Sequence, residues 1–330
     1  MTIHNLGKLI HLKKLCTDRA HFQMLAVDQR PPIFNIISNA KGRKHTYDEV
    51  VECKKLITSN LSQLATAILM DPNYSLSNIL QYNKSKGLVI TLEEHSFIET
   101  ERGRYSDNIQ NWSVEKIKKV GGDAVKVLAW YRPDADSESI EHQKKYVKKI
   151  GEECEKYSIP FLLELLVYPF KDDENHTTEY QEQKQKKTQH VIDSVKEFAK
   201  DEYKVDIFKL ESPVDSSELE SEITKETEKA FSDLAEATND KPWVVLSSGM
   251  DKDSLFDPWE RPKQINYQYS VCCSQFSRIR EMTDCRRKYS KILNETFRDS
   301  KNLRYFEEEK NCFWNNQYYV LQIEKGFDEM

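Results

Sequence analysis

The stretch Pro160–Val167, PFLLELLV, is an apolar run interrupted only by Glu164. A run of this length without polar alternation is typical of a strand covered on both faces, as in a parallel sheet flanked by helices. Six more runs of the same kind occur along the chain. They are Gln23–Asp28, Thr66–Asp71, Gly87–Glu93, Asp123–Tyr131, Val205–Glu211 and Pro242–Ser248.

Longer polar stretches with helical periodicity separate these runs. They are Tyr47–Leu64, Ser113–Val120, Ser137–Tyr157, Thr188–Lys200 and Thr224–Thr238. Seven strand-then-helix units predict an α/β fold of the (β/α)8 TIM-barrel type, in which the pattern does not locate the eighth unit. A doubly wound sheet is disfavoured because no glycine-rich turn follows the first run at Asp28.

The carboxyl-terminal part of the chain lacks such runs. Asp251–Met330 contains no clean apolar run, and we expect this region to be organised differently from the strand-then-helix units. The nearest approach to an eighth strand is Tyr269–Ile279, and a charged helix is expected over Cys285–Arg304. A barrel without its eighth strand has two unpaired edges.

The net charge, the length of the apolar stretches and the number of cysteines exclude several classes of protein. The 330 residues carry 49 Lys and Arg against 55 Asp and Glu, a net charge of −6, which argues against nucleic acid or an anionic membrane as the main partner. No stretch has the apolar length of a membrane helix, and the amino terminus lacks the apolar centre of a signal peptide. The chain has seven cysteines, and an odd number is more typical of reduced thiols than of a disulfide framework. We expect a cytoplasmic protein.

Cofactor motifs are missing from the sequence. Cys272, Cys273, Cys285 and Cys312 lack paired CxxC spacing, and the histidines form no HxH or HExxH pair. GxGxxG, GxxxxGK(S/T) and GxSxG are also absent. The sequence therefore predicts neither a metal nor another cofactor.

Charged residues inside three of the runs are the candidates for chemistry. Alternation along each run places Lys126, Glu164 and Lys209 on inner faces, so neighbouring strands bring them together at the barrel mouth. A structural ion pair between Lys126 and Glu164 is one interpretation. In the other, a second ammonium group and burial lower the pKa of one lysine, which then forms a Schiff base with a ketone as a neutral amine. The carboxylate would move protons during C–C cleavage.

Two further features point to an anion at the same end of the barrel. The strand end Val245–Gly249, VLSSG, suits a backbone cradle for a phosphate or sulfonate, although Ser-Ser-Gly is also a common turn. Arg30 adds a cation after Asp28, although a surface charge before the Pro31-Pro32 turn is the alternative.

Several motifs, in this order, resemble the tagatose-1,6-bisphosphate aldolase family, which comprises class I aldolases of (β/α)8 fold and is similar to the sulfofructose-phosphate aldolases. The matching segments are Leu25–Arg30, Ile68–Leu76, Gly122–Asp136, Ile159–Pro169, Val205–Val214 and Trp243–Gly249. The resemblance implies an aldolase that cleaves a ketose (bis)phosphate, such as tagatose 1,6-bisphosphate, to dihydroxyacetone phosphate and an aldehyde.

The resemblance also implies catalytic roles. Lys209 would form the Schiff base, with Lys126 and Glu164 as its acid/base and electrostatic partners. Residues 1–253 would be the barrel catalytic domain, working on a small sugar phosphate without a cofactor. Residues 254–330 would be a divergent segment in which the expected last strand and helices are not recognisable. Relatives in that family are commonly homo-oligomers.

For substrate binding, the resemblance implies contacts from Asp28, Gln29 and Arg30 to hydroxyls or a phosphate. Ser248 and Gly249 would hold the other anionic group. The sequence departs from the family at residues 273–282, CSQFSRIREM, where the family carries a Gly-Arg element that completes phosphate binding. The alternatives are an aldolase for a sulfonated sugar phosphate and a sugar-phosphate-binding relative without catalysis.

Overall fold

Seven parallel strands form the central sheet, and their order in the sheet follows the chain. The computed structural model describes residues 5–17, 20–79, 85–177, 187–214, 224–246, 303–305 and 321–323. A short antiparallel pair, β4 (Ile98–Glu99) and β5 (Arg104–Tyr105), follows the third strand. The strands of the sheet are β1 (Met24–Val27), β2 (Ala67–Met70), β3 (Gly87–Thr91), β6 (Ala124–Trp130), β7 (Phe161–Leu166), β8 (Ile207–Leu210) and β9 (Trp243–Val245). The seven runs predicted as strands are confirmed.

One face of this sheet is the inside of the barrel. Apolar side chains from all seven strands meet there in one inner cluster, namely Met24, Ala26, Ala67, Leu69, Val89, Ala124, Leu162, Ile207 and Val244. Because β1 and β9, the first and last strands of the sheet, contribute to the same cluster, the sheet is curled. The strand pattern thus correctly predicted a (β/α)8 barrel, seven strands of which belong to the described residues. The candidate eighth strand, Tyr269–Ile279, lies outside them.

In the described part of the chain, the helices from Tyr47–Leu61 onward contribute side chains to the apolar core on the outer face of the sheet. The helices are α1 (Leu6–Leu15), α2 (Pro31–Lys41), α3 (Tyr47–Leu61), α4 (Val114–Lys119), α5 (Ser137–Lys156), α6 (Thr188–Phe198) and α7 (Lys225–Ala237). The five predicted helices are confirmed. Thr46 and Glu49 form a capping box at the start of α3, a local signal that favours a helix there. No helix in the described part of the chain is long and apolar enough to cross a membrane.

Helix α2 begins where the sequence analysis expects a turn. Pro31 and Pro32 occupy the start of this helix. A proline is tolerated there because the first amides of a helix have no partner within the helix, and its fixed φ is already helical. Arg30 consequently occupies the N-cap position of α2, where its side chain makes no capping hydrogen bond.

A second difference concerns the carboxyl-terminal segment. The strands β10 (Leu303–Tyr305) and β11 (Leu321–Ile323) form an antiparallel pair. The expected helix over Cys285–Arg304 is therefore wrong at its end, because the last two residues of that range are in a strand that pairs with a distant part of the chain. The expected domain boundary at residue 253 lies outside the described residues.

Helix α1 closes the amino-terminal end of the barrel. Leu12 and Leu15 pack against the inner cluster. Gly87 allows this approach, because a Cβ at residue 87 would lie 2.6 Å from Leu15 Cδ2. An ion pair fastens the same helix to the barrel, since Lys8 Nζ lies 2.9 Å from Asp206 Oδ2.

Replacing Leu15 by alanine should destabilise the fold, because Leu15 is fully buried at the end of the barrel. We expect the free energy of unfolding, measured by urea denaturation, to fall by about 2–5 kcal/mol. Leu6 on the same helix is 73% exposed. The control substitution Leu6→Ala should change that free energy by less than about 0.5 kcal/mol. Equal effects of the two substitutions would contradict the role of α1 as the closure of the barrel.

Candidate active site

Lys126 lies at the centre of a charged cluster inside the barrel. It is the third residue of β6, and its side chain is 3% exposed. Its Nζ lies 3.0 Å from Asp28 Oδ2, 2.6 Å from Glu93 Oε1 and 2.8 Å from Glu164 Oε2. Carboxylates from three different elements therefore surround one ammonium group.

Glu164 connects this ammonium group to a second one. Lys209 Nζ lies 2.9 Å from Glu164 Oε1, while the other carboxylate oxygen faces Lys126. Glu164 on β7 and Lys209 on β8 are register partners, which accounts for their contact. The structure thus brings together the three residues that alternation along the strands predicted to converge.

The surrounding carboxylates hold Lys126 as a cation. Burial opposes its charge, but the attraction of Asp28, Glu164 and Glu93 outweighs burial and raises the pKa of Lys126 well above its usual range. Of the two lysines that could supply the neutral amine, Lys126 is therefore the one held as a cation. The physical reason is that three carboxylates, rather than one, face it.

The three carboxyl groups differ in their affinity for a proton. Burial acts to raise the pKa of Asp28, but Lys126, Lys209 and Arg30 outweigh it and bring that pKa well below its usual range. The same balance of burial against the two lysines lowers the pKa of Glu164. For Glu93 burial prevails over Lys126 and Arg30, and its pKa is raised. The cluster therefore holds two carboxylates that stay ionised and one carboxyl group that protonates more readily.

Arg30 is buried beside this cluster, so its interpretation as a surface charge is wrong. Its Nη1 donates to the carbonyl oxygen of Glu93 at 3.2 Å, and its Nη2 lies 3.7 Å from Glu93 Oε1. The start of α2 turns the side chain inward, which a turn at the two prolines did not suggest. Gln29 is half-buried between Asp28 and Arg30. Ser248 and Gly249 lie outside the described residues.

Glu93 is the member of the cluster that sequence reasoning missed as a site residue. Its only signal is its position at the end of the third apolar run. That signal is ambiguous, because two other strand-end carboxylates serve the fold. Asp71 accepts hydrogen bonds from the backbone N–H groups of Asn73 and Tyr74, and Glu211 accepts one from Val167 N at 2.7 Å.

The described residues contain no group of three or more His, Cys, Asp or Glu side chains placed to hold a metal ion. The cluster itself consists of ammonium and guanidinium groups alternating with carboxylates. Such an arrangement is suited to moving protons and to forming a covalent bond through a lysine amine.

Comparison with known proteins decides the family. Residues 22–258 match the sequence family described as DeoC/LacD family aldolase. The chain belongs to the DeoC/LacD family of aldolases. It is a family of class I aldolases, which are aldehyde-lyases, and sugar phosphates are the substrates implied by this membership.

Curated members of this aldolase family are similar to the chain over most of their length. The tagatose 1,6-diphosphate aldolase of Listeria innocua is 33% identical over 276 residues, covering 82% of this chain and 80% of the relative. The tagatose 1,6-diphosphate aldolase 1 of Enterococcus faecalis is 33% identical over 246 residues, covering 73% and 74%. Among solved structures, the fructose-bisphosphate aldolase of Slackia heliotrinireducens has a TM-score of 0.52 at 9% identity, over 78% of this chain and 76% of that one. That likeness supports the fold.

The lowered pKa of Asp28 predicts a dependence of stability on acid pH. A carboxylate whose pKa is lower in the folded than in the unfolded chain stabilises the fold above its unfolded pKa of about 3.9, and this contribution is lost as the pH falls towards the folded-state value. Asp28→Asn should therefore lower the free energy of unfolding at neutral pH, and the gap to wild type should narrow below about pH 4. Urea denaturation at a series of pH values measures this gap.

The control for this experiment is Asp48→Asn, since Asp48 is an exposed residue in the first turn of α3. It should not reproduce the gap seen with Asp28→Asn. A gap for Asp28→Asn that stays constant from neutral to acid pH would contradict the ionic role of Asp28 in the cluster.

Proposed function

We propose that this protein cleaves a ketose (bis)phosphate, such as tagatose 1,6-bisphosphate, to dihydroxyacetone phosphate and an aldehyde through a Schiff base on Lys209. One observation carries the proposal. A single buried carboxylate, Glu164, bridges Lys209 and a second lysine that is held as a cation, inside the barrel of a class I aldolase family member. The similarity to tagatose 1,6-diphosphate aldolases supports the substrate class.

Exposure and charge distinguish the roles of the two lysines. The Lys209 side chain is 14% exposed, against 3% for Lys126 and 0% for Glu164, so Lys209 is the most accessible to a substrate. Lys126 remains a cation among its three carboxylates and cannot act as a nucleophile. Lys209 is therefore the amine that adds to the carbonyl carbon C2 of the substrate.

The cleavage follows from this assignment. The amine of Lys209 forms a C–N bond at C2, and the C2 oxygen leaves as water after protonation, which produces the iminium ion. A base then removes the proton of the C4 hydroxyl, the C3–C4 bond breaks, and the electron pair moves to C3 to form an enamine. The aldehyde leaves. Protonation at C3 and addition of water release dihydroxyacetone phosphate and restore Lys209.

The neighbouring side chains supply protons and charge for these steps. Glu164 lies within hydrogen-bonding distance of Lys209 and is the proposed acid and base. The cation of Lys126 stabilises Glu164 in its ionised form. Asp28, Gln29 and Arg30 are proposed to hold substrate hydroxyls or a phosphate at the β1 side of the cluster.

The Schiff base is tested by reducing the protein with borohydride in the presence of dihydroxyacetone phosphate. Intact-mass and peptide mass spectrometry should show one adduct on Lys209, and Lys209→Ala should abolish it, because no other amine takes its place. Lys200→Ala serves as the control, since this exposed lysine of the same region should not affect the adduct. An adduct that persists in Lys209→Ala would refute the assignment. A folded wild-type protein without an adduct would favour a sugar-phosphate-binding relative without catalysis.

The roles of the two partners are tested by turnover. Lys126→Met and Glu164→Gln should each slow cleavage of tagatose 1,6-bisphosphate by roughly 10²- to 10⁴-fold, the usual contribution of a positioned acid or base. A coupled assay for dihydroxyacetone phosphate measures the rate. Wild-type rates in both variants would contradict these roles and would show that Lys126 and Glu164 form a structural ion pair. Parallel assays with a sulfonated sugar phosphate compare the two substrate classes.

A further inference from the structure

Glu93 is the buried carboxyl group of the cluster to which the proposed reaction gives no role. Its side chain is 2% exposed, and its Oε1 accepts a hydrogen bond from Lys126 Nζ at 2.6 Å. Its Oε2 is buried and has no hydrogen-bond partner among the described residues. A buried carboxylate oxygen without a donor makes the ionised form costly, so this carboxylate takes up a proton more readily than a fully hydrogen-bonded one.

Glu93 also lies at one end of a continuous path of contacts that begins at Lys209. Lys209 Nζ is 2.9 Å from Glu164 Oε1, Glu164 Oε2 is 2.8 Å from Lys126 Nζ, and Lys126 Nζ is 2.6 Å from Glu93 Oε1. Each step of this path is a hydrogen-bonding distance between a nitrogen and an oxygen. A proton can therefore pass along it without leaving the barrel.

The charge balance of the cluster favours a transfer of the Lys209 proton along this path over its release to solvent. The cluster consists of three cations, Lys126, Lys209 and Arg30, and three carboxyl groups, Asp28, Glu93 and Glu164. Lys209 must lose a proton before it attacks a carbonyl. With all three carboxyl groups ionised, loss of that proton to solvent would leave a buried net negative charge, which is unfavourable where water is excluded. If a carboxyl group of the cluster takes it, the net charge is unchanged.

We propose that Glu93 takes up the proton that Lys209 loses. Glu93 receives this proton by way of Glu164 and Lys126 and is therefore a positioning residue, which acts on Lys209 through these two side chains. This inference rests on the proposed Schiff base. Glu164 Oε1 accepts a proton from Lys209 Nζ, and the carboxyl group turns to offer it to Lys126 Nζ, which passes one of its own protons to Glu93. Overall one N–H bond breaks at Lys209 and one O–H bond forms at Glu93. Lys126 and Glu164 end as they began.

The surroundings of Glu93 favour it over the other two carboxyl groups as the acceptor. Burial raises the pKa of Glu93, whereas the pKa values of Asp28 and Glu164 are lowered. The charged and titratable groups that face Glu93 are Lys126 from β6, Arg30 at the start of α2, Asp28 after β1 and Tyr146 from α5, and Glu164 from β7 lies on the other side of Lys126. Of these, Lys126 is already protonated and Arg30 cannot accept a proton, so neither competes for it.

The test is the pH dependence of adduct formation on Lys209 with dihydroxyacetone phosphate and cyanoborohydride, using the full chain. An internal proton transfer between Lys209 and Glu93 changes no net proton count. The initial rate of the wild type should therefore be flat between the ordinary pKa values of glutamate, about 4.3, and lysine, about 10.4. In Glu93→Gln, the remaining carboxylates Asp28 and Glu164 do not retain the proton, because their pKa values are lowered, and Lys209 releases it to solvent. Its rate should rise about tenfold per pH unit within the same window.

Two variants complete the experiment. Glu93→Asp keeps a carboxyl group that accepts a proton and should restore the flat profile. Glu99→Gln is the matched control, because this carboxylate pairs with Arg104 and His176, and its profile should be flat like that of the wild type.

Three results would overturn the inference. The first is a flat profile in Glu93→Gln, whether at the wild-type rate or at a uniformly reduced one, which would leave Glu93 only as a support for Lys126. The second is a wild-type rate that itself rises about tenfold per pH unit, which decides the matter even where Glu93→Gln does not fold. The third is a wild-type protein without any adduct on Lys209. Only this third result also refutes the proposed function.

Discussion

The ammonium group of Lys126 is the charge on which the interior of this barrel depends. It is buried with three carboxylates around it, and each of them comes from a different strand end or strand. Removing one partner from a buried ionic group leaves an uncompensated charge, which typically costs several kcal/mol. The positions of β1, β3, β6 and β7 relative to one another are therefore tied to this one contact group as well as to their hydrogen-bonded ladders. Lys209, the proposed Schiff-base residue, contacts this group through Glu164.

The two ends of the barrel interior differ in the side chains that fill them. At the amino-terminal end, α1 covers the inner cluster with leucines and fastens itself by ion pairs. Towards the carboxyl ends of the strands, the inner face carries the charged cluster instead. This division is general for (β/α)8 barrels, because loops at the carboxyl ends are free to vary while the opposite end closes the core. Because the charged cluster and the packed apolar side chains occupy different ends of the interior, the buried charges do not prevent a packed core.

Much of the architecture was predictable because local patterns agree with the global fold. Continuous apolar runs such as Pro160–Val167 marked strands buried on both faces, and capping residues such as Thr46 marked helix starts. Helix α2 was missed because Pro31 and Pro32 are compatible with both a turn and a helix start, and only the following contacts choose between them. The strand Leu303–Tyr305 was missed because its partner, Leu321–Ile323, is distant in sequence. Pairing between distant segments leaves little trace in local periodicity.

By itself, the sequence determined the order of strands and helices, the inward direction of Lys126, Glu164 and Lys209, and the family motifs around them. These follow from periodicity, since alternate residues of a strand share a face. Only the tertiary structure decided which carboxylates surround Lys126, that Arg30 is buried, and that Glu93 belongs to the cluster. The reason is physical. A side chain's charge state and partners depend on distances between strands and on the loss of water around it, and neither is encoded by the residues next to it in the chain.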